Sequence, residues 1–99
     1  MIARGDNYVL GHSEAAILRP ISERLSRGIQ PGMRVLDLGS GIGDVAMLAA
    51  ELVGPSGWVV GIDRNPQAIS IATQRARDGG LHHLAFHEAE ADTVLRPLA

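Results

Sequence analysis

Short apolar runs alternate with longer amphipathic stretches along the last two thirds of the chain. The runs at 34–38 and 58–62 are apolar on both faces, which is typical of buried parallel strands, and a third run follows at 84–87. The stretches at 44–53 and 66–78 carry apolar residues at helical spacing. This alternation predicts an α/β fold in which three parallel strands are joined by two helices.

Residues with special backbone preferences mark the ends of the second helix. Asn65 can cap it, Pro66 suits its first position, and the glycines at 79 and 80 end it. Each helix has one apolar face that we expect to pack on the sheet. The residues on these faces are Val45, Leu48, Ala49 and Leu52 in the first helix and Ile69, Ala72 and Ala76 in the second.

The first third of the chain has a weaker pattern. Residues 1–12 are mixed in polarity and contain glycine, which predicts a loop. Ser13 can cap a leading helix over 13–28, and Pro20 is expected to kink or split it. We therefore divide a single domain of residues 1–99 into a loop, a leading helix and a βαβαβ core over 34–99.

A glycine-rich segment follows the first predicted strand. Asp37 lies near the end of that strand, and Gly39, Gly41 and Gly43 then occupy alternate positions before the helix at 44–53. Glycine has no Cβ, so the backbone can turn tightly there and approach a ligand closely. We expect the loop amides and the helix N-terminus to face a negative ligand group. The strand, the glycine turn and the helix N-terminus together predict a nucleotide site.

An acidic residue at the end of the second predicted strand supports this prediction. Asp63 lies 20 residues beyond Gly43, where a carboxylate can accept hydrogen bonds from both hydroxyls of a ribose. More than one class of nucleotide-binding fold has that spacing, so it predicts a ribose without selecting the nucleotide. Arg64 follows directly, and three interpretations stay open for it: contact with a 2′-phosphate, stacking beside adenine, or exposure to solvent.

The positions of the glycines separate the nucleotide classes. A dinucleotide fingerprint would place its third glycine at position 44, which is Asp44 in this chain. A P-loop is excluded because no Gly-Lys-Ser/Thr ends the segment. Residues 37–43, Asp-Leu-Gly-Ser-Gly-Ile-Gly, resemble the first motif of the class I S-adenosylmethionine (SAM) dependent methyltransferases. The chain looks most like their small-molecule group, which includes the ubiquinone/menaquinone-biosynthesis methyltransferases.

That resemblance covers nearly the whole chain but only the N-terminal, cofactor-binding half of the family's domain. It implies a Rossmann-like three-layer methyltransferase fold with sheet order 3-2-1, truncated after the third parallel strand. It also implies that SAM is the cofactor. The residues that match the family's site are Asp37, Gly39, Ser40, Gly41 and Gly43 at the methionine part, Asp63 at the ribose with Arg64 beside it, and Glu90 with Ala91 at the adenine. Glu88 and Asp92 stay open as alternatives to Glu90.

Composition restricts the other functions of the chain. The 99 residues have a formal net charge of -2 without a basic run, so nucleic-acid binding is not expected. There is no cysteine, and no apolar run reaches the ~18 residues of a membrane span. His83 and His87 are too far apart on a strand to share a metal, and no residue spacing argues for nucleophilic catalysis. We therefore expect a cytoplasmic protein without membrane contact, metal ligands or catalytic residues in this chain.

Truncation after the third strand has a structural consequence. With sheet order 3-2-1, the strand at 34–38 is an open edge, and one face of the sheet exposes Val, Leu and Ile side chains to solvent. We expect a homodimer, or the missing C-terminal half of the family's domain, to cover this bare face. Acceptor-binding residues in the family normally follow the fourth strand, so the small-molecule methyl acceptor is not identified by this chain.

Two alternative functions stay open beside methyl transfer. One is an NAD(P)-binding oxidoreductase half-domain, against which the position of the third glycine and the charge of Asp44 both argue. The other is a non-catalytic interaction module that keeps the fold and acts as a dimer. The glycines and Asp63 argue against this second alternative, whereas the truncation favours it.

Overall fold

The structure is a computed structural model that describes residues 2–4, 7–11, 25–90 and 93. Most of the predicted leading helix, including Ser13 and Pro20, lies outside the described residues. Of that helix, residues 25 and 26 are helical and residues 27 and 28 form a turn. Ala91 and Asp92, at the predicted adenine end of the site, also lie outside the described residues.

The described residues form a five-stranded sheet and two helices. The strands lie in the order β1-β2-β3-β4-β5, with β1 antiparallel to β2 and all the other neighbours parallel. The elements are β1 (Ile2–Arg4), β2 (Asn7–Gly11), β3 (Arg34–Leu38), α1 (Asp44–Val53), β4 (Trp58–Asp63), α2 (Pro66–Asp78) and β5 (Leu84–Glu88). The α/β class is confirmed, and so is the 3-2-1 order of the three predicted strands, which are β5, β4 and β3.

Both helices have the predicted bounds. Gly43 precedes α1, and the side chain of Asn65 caps α2 by accepting hydrogen bonds from the amides of Gln67 and Ala68. Such a cap satisfies donors that the first helical turn leaves without partners. Within the described part of the chain, neither helix combines the length and the apolar character needed to cross a membrane.

The predicted loop over residues 1–12 is wrong, and so is the open edge beside the strand at 34–38. β2 lies parallel to β3 in continuous register, and β1 pairs with β2 on its other side. Tyr8 and Leu10 are buried in the core, whereas Val9 between them is partly exposed. Three alternating residues are too few to distinguish a strand from a loop in the sequence. In the fold, the backbone of β2 pairs with backbone groups of β3 that would otherwise have no partner.

The core lies between the two helices and one face of the sheet. The sheet residues in it follow a period of two along each strand, with Val35, Val59, Leu84 and Phe86 all buried. The buried residues of the helices are Ala46, Ala49, Ala50 and Val53 in α1 and Ala72 and Ala76 in α2. The inner face of α2 is therefore as predicted, with Ile69 partly buried at its margin.

The inner face of α1 differs from the prediction. Val45, Leu48 and Leu52 are only partly buried, and Ala49 is the one predicted residue that is fully inside. The small residues of α1 face the sheet instead, and alanine lets a helix backbone approach a sheet closely without a void. The larger side chains then fill the margins of the helix–sheet contact.

The opposite face of the sheet is apolar and partly exposed. Leu36, Leu38 and Val60 are partly exposed, and Trp58 is 44% exposed. Ile62 on the same face is buried. The expected exposure of this face is therefore confirmed in part, with Ile62 as the exception.

The carboxyl ends of β3, β4 and β5 meet at one edge of the sheet. Leu38 pairs with Ile62, and Ile62 pairs with His87, so the segments that follow these three strands leave the sheet side by side. In open parallel sheets, ligands bind outside this edge. The fold thus brings the glycine-rich loop, Asp63 and Glu88 to one edge of the sheet.

Candidate functional site

The glycine-rich loop, residues 39–43, folds back over the end of β4. The amides of Gly39 and Ser40 both donate to the carbonyl oxygen of Ile62, at 2.8 and 2.9 Å. The amide of Gly41 donates to Oδ2 of Asp63 at 2.9 Å, and that of Gly43 donates to the carbonyl of Ser40 at 3.0 Å. The loop is therefore held by hydrogen bonds within the chain.

These bonds overturn one expectation from the sequence. The loop amides were expected to face a negative ligand group, but the amides of Gly39, Ser40, Gly41 and Gly43 all donate to acceptors of this chain. A buried or half-buried amide that already has a good acceptor gains little from a second one. The loop is thus poorly suited to bind an anion through its own backbone donors.

The outer surface of the loop is open at two glycines, Gly39 and Gly41, and we call this open backbone surface the cradle. Gly39 and Gly41 have φ angles of +73° and +56°, and a Cβ atom added to either would meet nothing within 4 Å. Side chains rarely adopt such angles, and any side chain here would occupy the space above the loop. A ligand can therefore lie directly against the backbone at these two positions.

Asp63 borders this cradle and orders the backbone around it. Its Oδ2 accepts from the amide of Gly41 and its Oδ1 accepts from the amide of Asn65, both at 2.9 Å. An ionised carboxylate has about four acceptor sites on its two oxygens, so both oxygens keep capacity for further donors. Asp63 can therefore hold the loop and accept the hydroxyls of a ribose at the same time.

Two other residues of the predicted loop site are buried beneath the cradle. Asp37 is fully buried, in register between Leu10 of β2 and Gly61 of β4. Ser40 is also buried, and its Oγ has no hydrogen-bond partner within the described part of the chain. Both lie behind the surface that a ligand would contact, so they support the loop from within.

Phe86 is a site residue that the sequence analysis missed. Its ring lies so close to the loop that a Cβ on Gly61 would be 2.5 Å from its Cδ1, and a Cβ on Gly43 would be 2.8 Å from its Cζ. The ring thus fills the space beneath the loop that these two glycines leave. A glycine inside an apolar strand signals such a close approach, and Gly61 was that signal.

Arg75 is a second residue that the sequence analysis missed. Its side chain, on α2, donates to the carbonyl of Ile42 in the loop and forms an ion pair with Asp44 at the start of α1. No local pattern connects Arg75 to a loop that lies 33 residues earlier.

Of the residues predicted at the adenine end, Glu88 lies beside Asp63. Glu88 pairs with Asp63 in the sheet, and the amide of Ala89 donates to the carbonyl of Asp63 at 3.1 Å. Glu90 follows and is exposed, as is Arg64. Glu88 thus lies beside Asp63, and the assignment of Glu88 or Glu90 to the adenine stays a prediction.

His83 and His87 differ in exposure and in hydrogen bonding. His87 is exposed, whereas His83 is half-buried and its Nε2–H donates to the carbonyl of Ala50 at 2.8 Å. That bond ties the start of β5 to α1, which is a structural role. Across residues 2–4, 7–11, 25–90 and 93, no three His, Asp or Glu side chains group closely enough to hold a metal ion.

Comparison with known proteins gives one consistent set of similarities. A family model described as a methyltransferase domain matches residues 29–97. A 2-phytyl-1,4-naphtoquinone methyltransferase from Synechococcus elongatus is 52% identical over 48 residues, which are 48% of this chain and 21% of that protein. The ubiquinone/menaquinone biosynthesis C-methyltransferase UbiE from Ectopseudomonas mendocina is 37% identical over 71 residues, which are 71% of this chain and 28% of that protein.

The fold is similar to that of a solved structure as well. The crystal structure of a SAM-dependent methyltransferase from Aquifex aeolicus matches with a TM-score of 0.71 and 26% identity, over 81% of this chain and 44% of that one. The chain therefore spans less than half the length of each of these three proteins.

Proposed function

The chain belongs to the methyltransferase family, and from that premise we propose that it forms the SAM-binding part of an enzyme that methylates a small molecule. The observation that carries the proposal is the open cradle of Gly39 and Gly41 with Asp63 at its border. An open backbone surface beside a carboxylate suits a ligand that has a ribose and a flexible chain.

The state of the loop amides favours SAM over a dinucleotide. A pyrophosphate group is held by free loop amides at a helix N-terminus. Here four of those amides already donate within the chain, and an acidic residue, Asp44, occupies the first position of α1. SAM has no pyrophosphate, and its ammonium group suits backbone carbonyl oxygens.

We assign the residues of the proposed site the following roles. When bound, SAM supplies a methyl group on an electrophilic sulfonium, which an acceptor displaces in line. Asp63 orients the ribose, and Glu90 with Ala91 orients the adenine. Gly39 and Gly41 form the surface for the methionine part, and Asp37, Ser40 and Gly43 support the loop. Such orientation is the contribution of the protein, because it converts an encounter into an aligned displacement.

Calorimetric titration with S-adenosylhomocysteine, SAM, NADH and NADPH tests this proposal. We expect saturable binding of the first two, with Kd values of about micromolar order, and no saturation by either nicotinamide dinucleotide. Saturation by NADH alone would instead identify an oxidoreductase half-domain. If a folded chain binds none of the four ligands, the proposal that this chain forms a SAM-binding site is wrong.

Two glycine variants supply a matched control for that titration. Gly39 and Gly80 have φ angles of +73° and +69°, and a Cβ on either would meet nothing within 4 Å. Gly39→Ala and Gly80→Ala should therefore cost the same backbone strain of about 1 kcal/mol. Only Gly39→Ala fills the cradle, so it alone should weaken binding of S-adenosylhomocysteine.

We also propose a cytoplasmic protein in which a second copy covers the partly exposed face of the sheet. The support for the dimer is the apolar character of Leu36, Leu38 and Val60, which lie on the same face as the exposed Trp58. Contiguous apolar surface of this kind is typical of contact sites between proteins.

Sedimentation and tryptophan fluorescence across a dilution series test the dimer. Trp58 is the only tryptophan, so its emission should shift to shorter wavelength as the dimer forms and excludes water from that face. Trp58→Arg should give a monomer. A wild-type chain that stays monomeric, with unchanged emission at every concentration, would refute the dimer and leave the methyltransferase proposal intact.

A further inference from the structure

One guanidinium group joins α2 to the glycine-rich loop and to α1. Nη1 of Arg75 donates to the carbonyl oxygen of Ile42 at 2.8 Å, and Nη2 lies 2.9 Å from Oδ1 of Asp44. Ile42 lies inside the loop, and Asp44 is the first residue of α1. Arg75 therefore contacts the loop at the point where it enters the helix.

The contact holds one specific peptide group. The carbonyl of Ile42 and the amide of Gly43 belong to the same planar unit. The amide end donates to the carbonyl of Ser40 at 3.0 Å, and the carbonyl end accepts from Arg75. With both ends held, this peptide cannot rotate, although Gly41 and Gly43 on either side of Ile42 are the residues with the most backbone freedom.

We propose that Arg75 is a positioning residue that keeps the glycine-rich loop in its ligand-binding shape by holding the Ile42–Gly43 peptide. The proposal rests on the proposed function, because the ligand is taken to be SAM. A loop that adopts the binding shape only part of the time lowers the apparent affinity by that fraction. Arg75 raises affinity without itself contacting the ligand.

Arg75 makes two contacts, a hydrogen bond to Ile42 and an ion pair with Asp44, and they have different roles. The side chains of Arg75 and Asp44 are 37% and 70% exposed, and ion pairs between exposed groups contribute little. The bond to the carbonyl of Ile42 is the contact that reaches the loop, and Asp44 orients the guanidinium. Lysine has a single point charge and cannot reproduce the two-pronged geometry, so it should replace arginine only in part.

Arg77 provides a matched control on the same helix. It is exposed, and two residues along an α-helix turn its side chain by about 200° away from that of Arg75. Arg77→Gln changes the net charge and the helix composition in the same way as Arg75→Gln. Only Arg75→Gln removes the bond to the loop.

The experiment measures binding, loop motion and stability in four variants of the full chain: Arg75→Gln, Arg75→Lys, Asp44→Asn and Arg77→Gln. Arg75→Gln should weaken S-adenosylhomocysteine binding about tenfold and speed exchange of the Gly43 amide in the ligand-free protein by a similar factor. Its thermal midpoint should shift no more than that of Arg77→Gln. Arg75→Lys should recover part of the affinity, and Asp44→Asn should change it by about twofold at most.

The outcomes separate this proposal from the proposed function. If the wild-type chain binds no S-adenosylhomocysteine, the proposed function fails, and faster exchange of Gly43 in Arg75→Gln alone still supports the role of Arg75 in the loop. If the wild type binds but Arg75→Gln matches Arg77→Gln in both affinity and exchange, the positioning role is refuted. An equal loss of affinity in Arg77→Gln would also refute it, because the effect would then be one of charge.

Discussion

Gly61→Val is expected to destabilise the fold strongly, although the change lies in the middle of an apolar strand. A Cβ at this position would be 2.5 Å from Cδ1 of Phe86 and 2.9 Å from Cβ of Ser40. Neither neighbour can retreat easily, because the Phe86 ring is buried under Gly43 and Ser40 is held by its own backbone bond. Overpacking of this kind costs about 3 kcal/mol or more.

The free energy of unfolding of a typical domain is ~5–15 kcal/mol, so such a loss is large for so short a chain. Urea unfolding followed by Trp58 fluorescence measures it. Gly61→Ala, which adds only the Cβ, should cost about 2 kcal/mol, and Phe86→Leu in the same chain should recover part of that loss by removing the ring edge. The effects of Gly61→Ala and Phe86→Leu on the free energy of unfolding should therefore be non-additive.

Gly54→Ala is the control for glycine replacement in general. Gly54 has a φ of +69° and open space around its missing Cβ, so this change should cost about 1 kcal/mol through backbone strain alone. If Gly61→Ala proves no worse than Gly54→Ala, or if Phe86→Leu adds to its cost, the ring does not depend on Gly61 and the packing beneath the loop is wrongly assigned.

Asp63→Ala is expected to lower the affinity for S-adenosylhomocysteine at least a hundredfold. Two hydrogen bonds from ribose hydroxyls to a carboxylate would be lost, and bonds to a charged group contribute about 1.5–3 kcal/mol each. The same change frees the amides of Gly41 and Asn65, which Asp63 now holds at 2.9 Å. The loop and the start of α2 should therefore loosen as well.

Asp63→Asn separates these two contributions. The amide side chain keeps one acceptor oxygen, so it can hold one of the two backbone amides but offers less to the ribose. We expect its affinity to fall about tenfold, with a smaller loss of stability than in Asp63→Ala. Calorimetry gives the affinities and thermal unfolding gives the stabilities.

Glu51→Ala removes an exposed acid of α1 and controls for the change in net charge. Its affinity should equal that of the wild type. If Asp63→Ala binds as tightly as Glu51→Ala, the ribose does not contact this carboxylate, and Asp63 serves only to hold the backbone.

The local elements of this chain were predictable from short spacings. The bounds of α1 and α2 match the prediction, and Asn65 caps α2 as its position indicated. Each of these features depends on residues at most a few positions apart, such as the cap bonds to Gln67 and Ala68. The strand at 7–11 was missed because its alternation involves only three residues, and its pairing partner β3 lies more than twenty residues later.

The site also has features that the sequence predicts and features that only the tertiary structure shows. The sequence by itself determined which residues could bind a cofactor: the glycines that leave a bare backbone, and Asp63 at the end of a buried strand. Only the tertiary structure decided that the loop amides are already engaged, that Phe86 fills the space below, and that Arg75 holds Ile42. The bonds of Gly41 with Asp63 and of Arg75 with Ile42 join residues 22 and 33 positions apart. Contacts of that separation depend on how strands and helices pack, whereas the identity of a turn or a cap depends on its immediate neighbours.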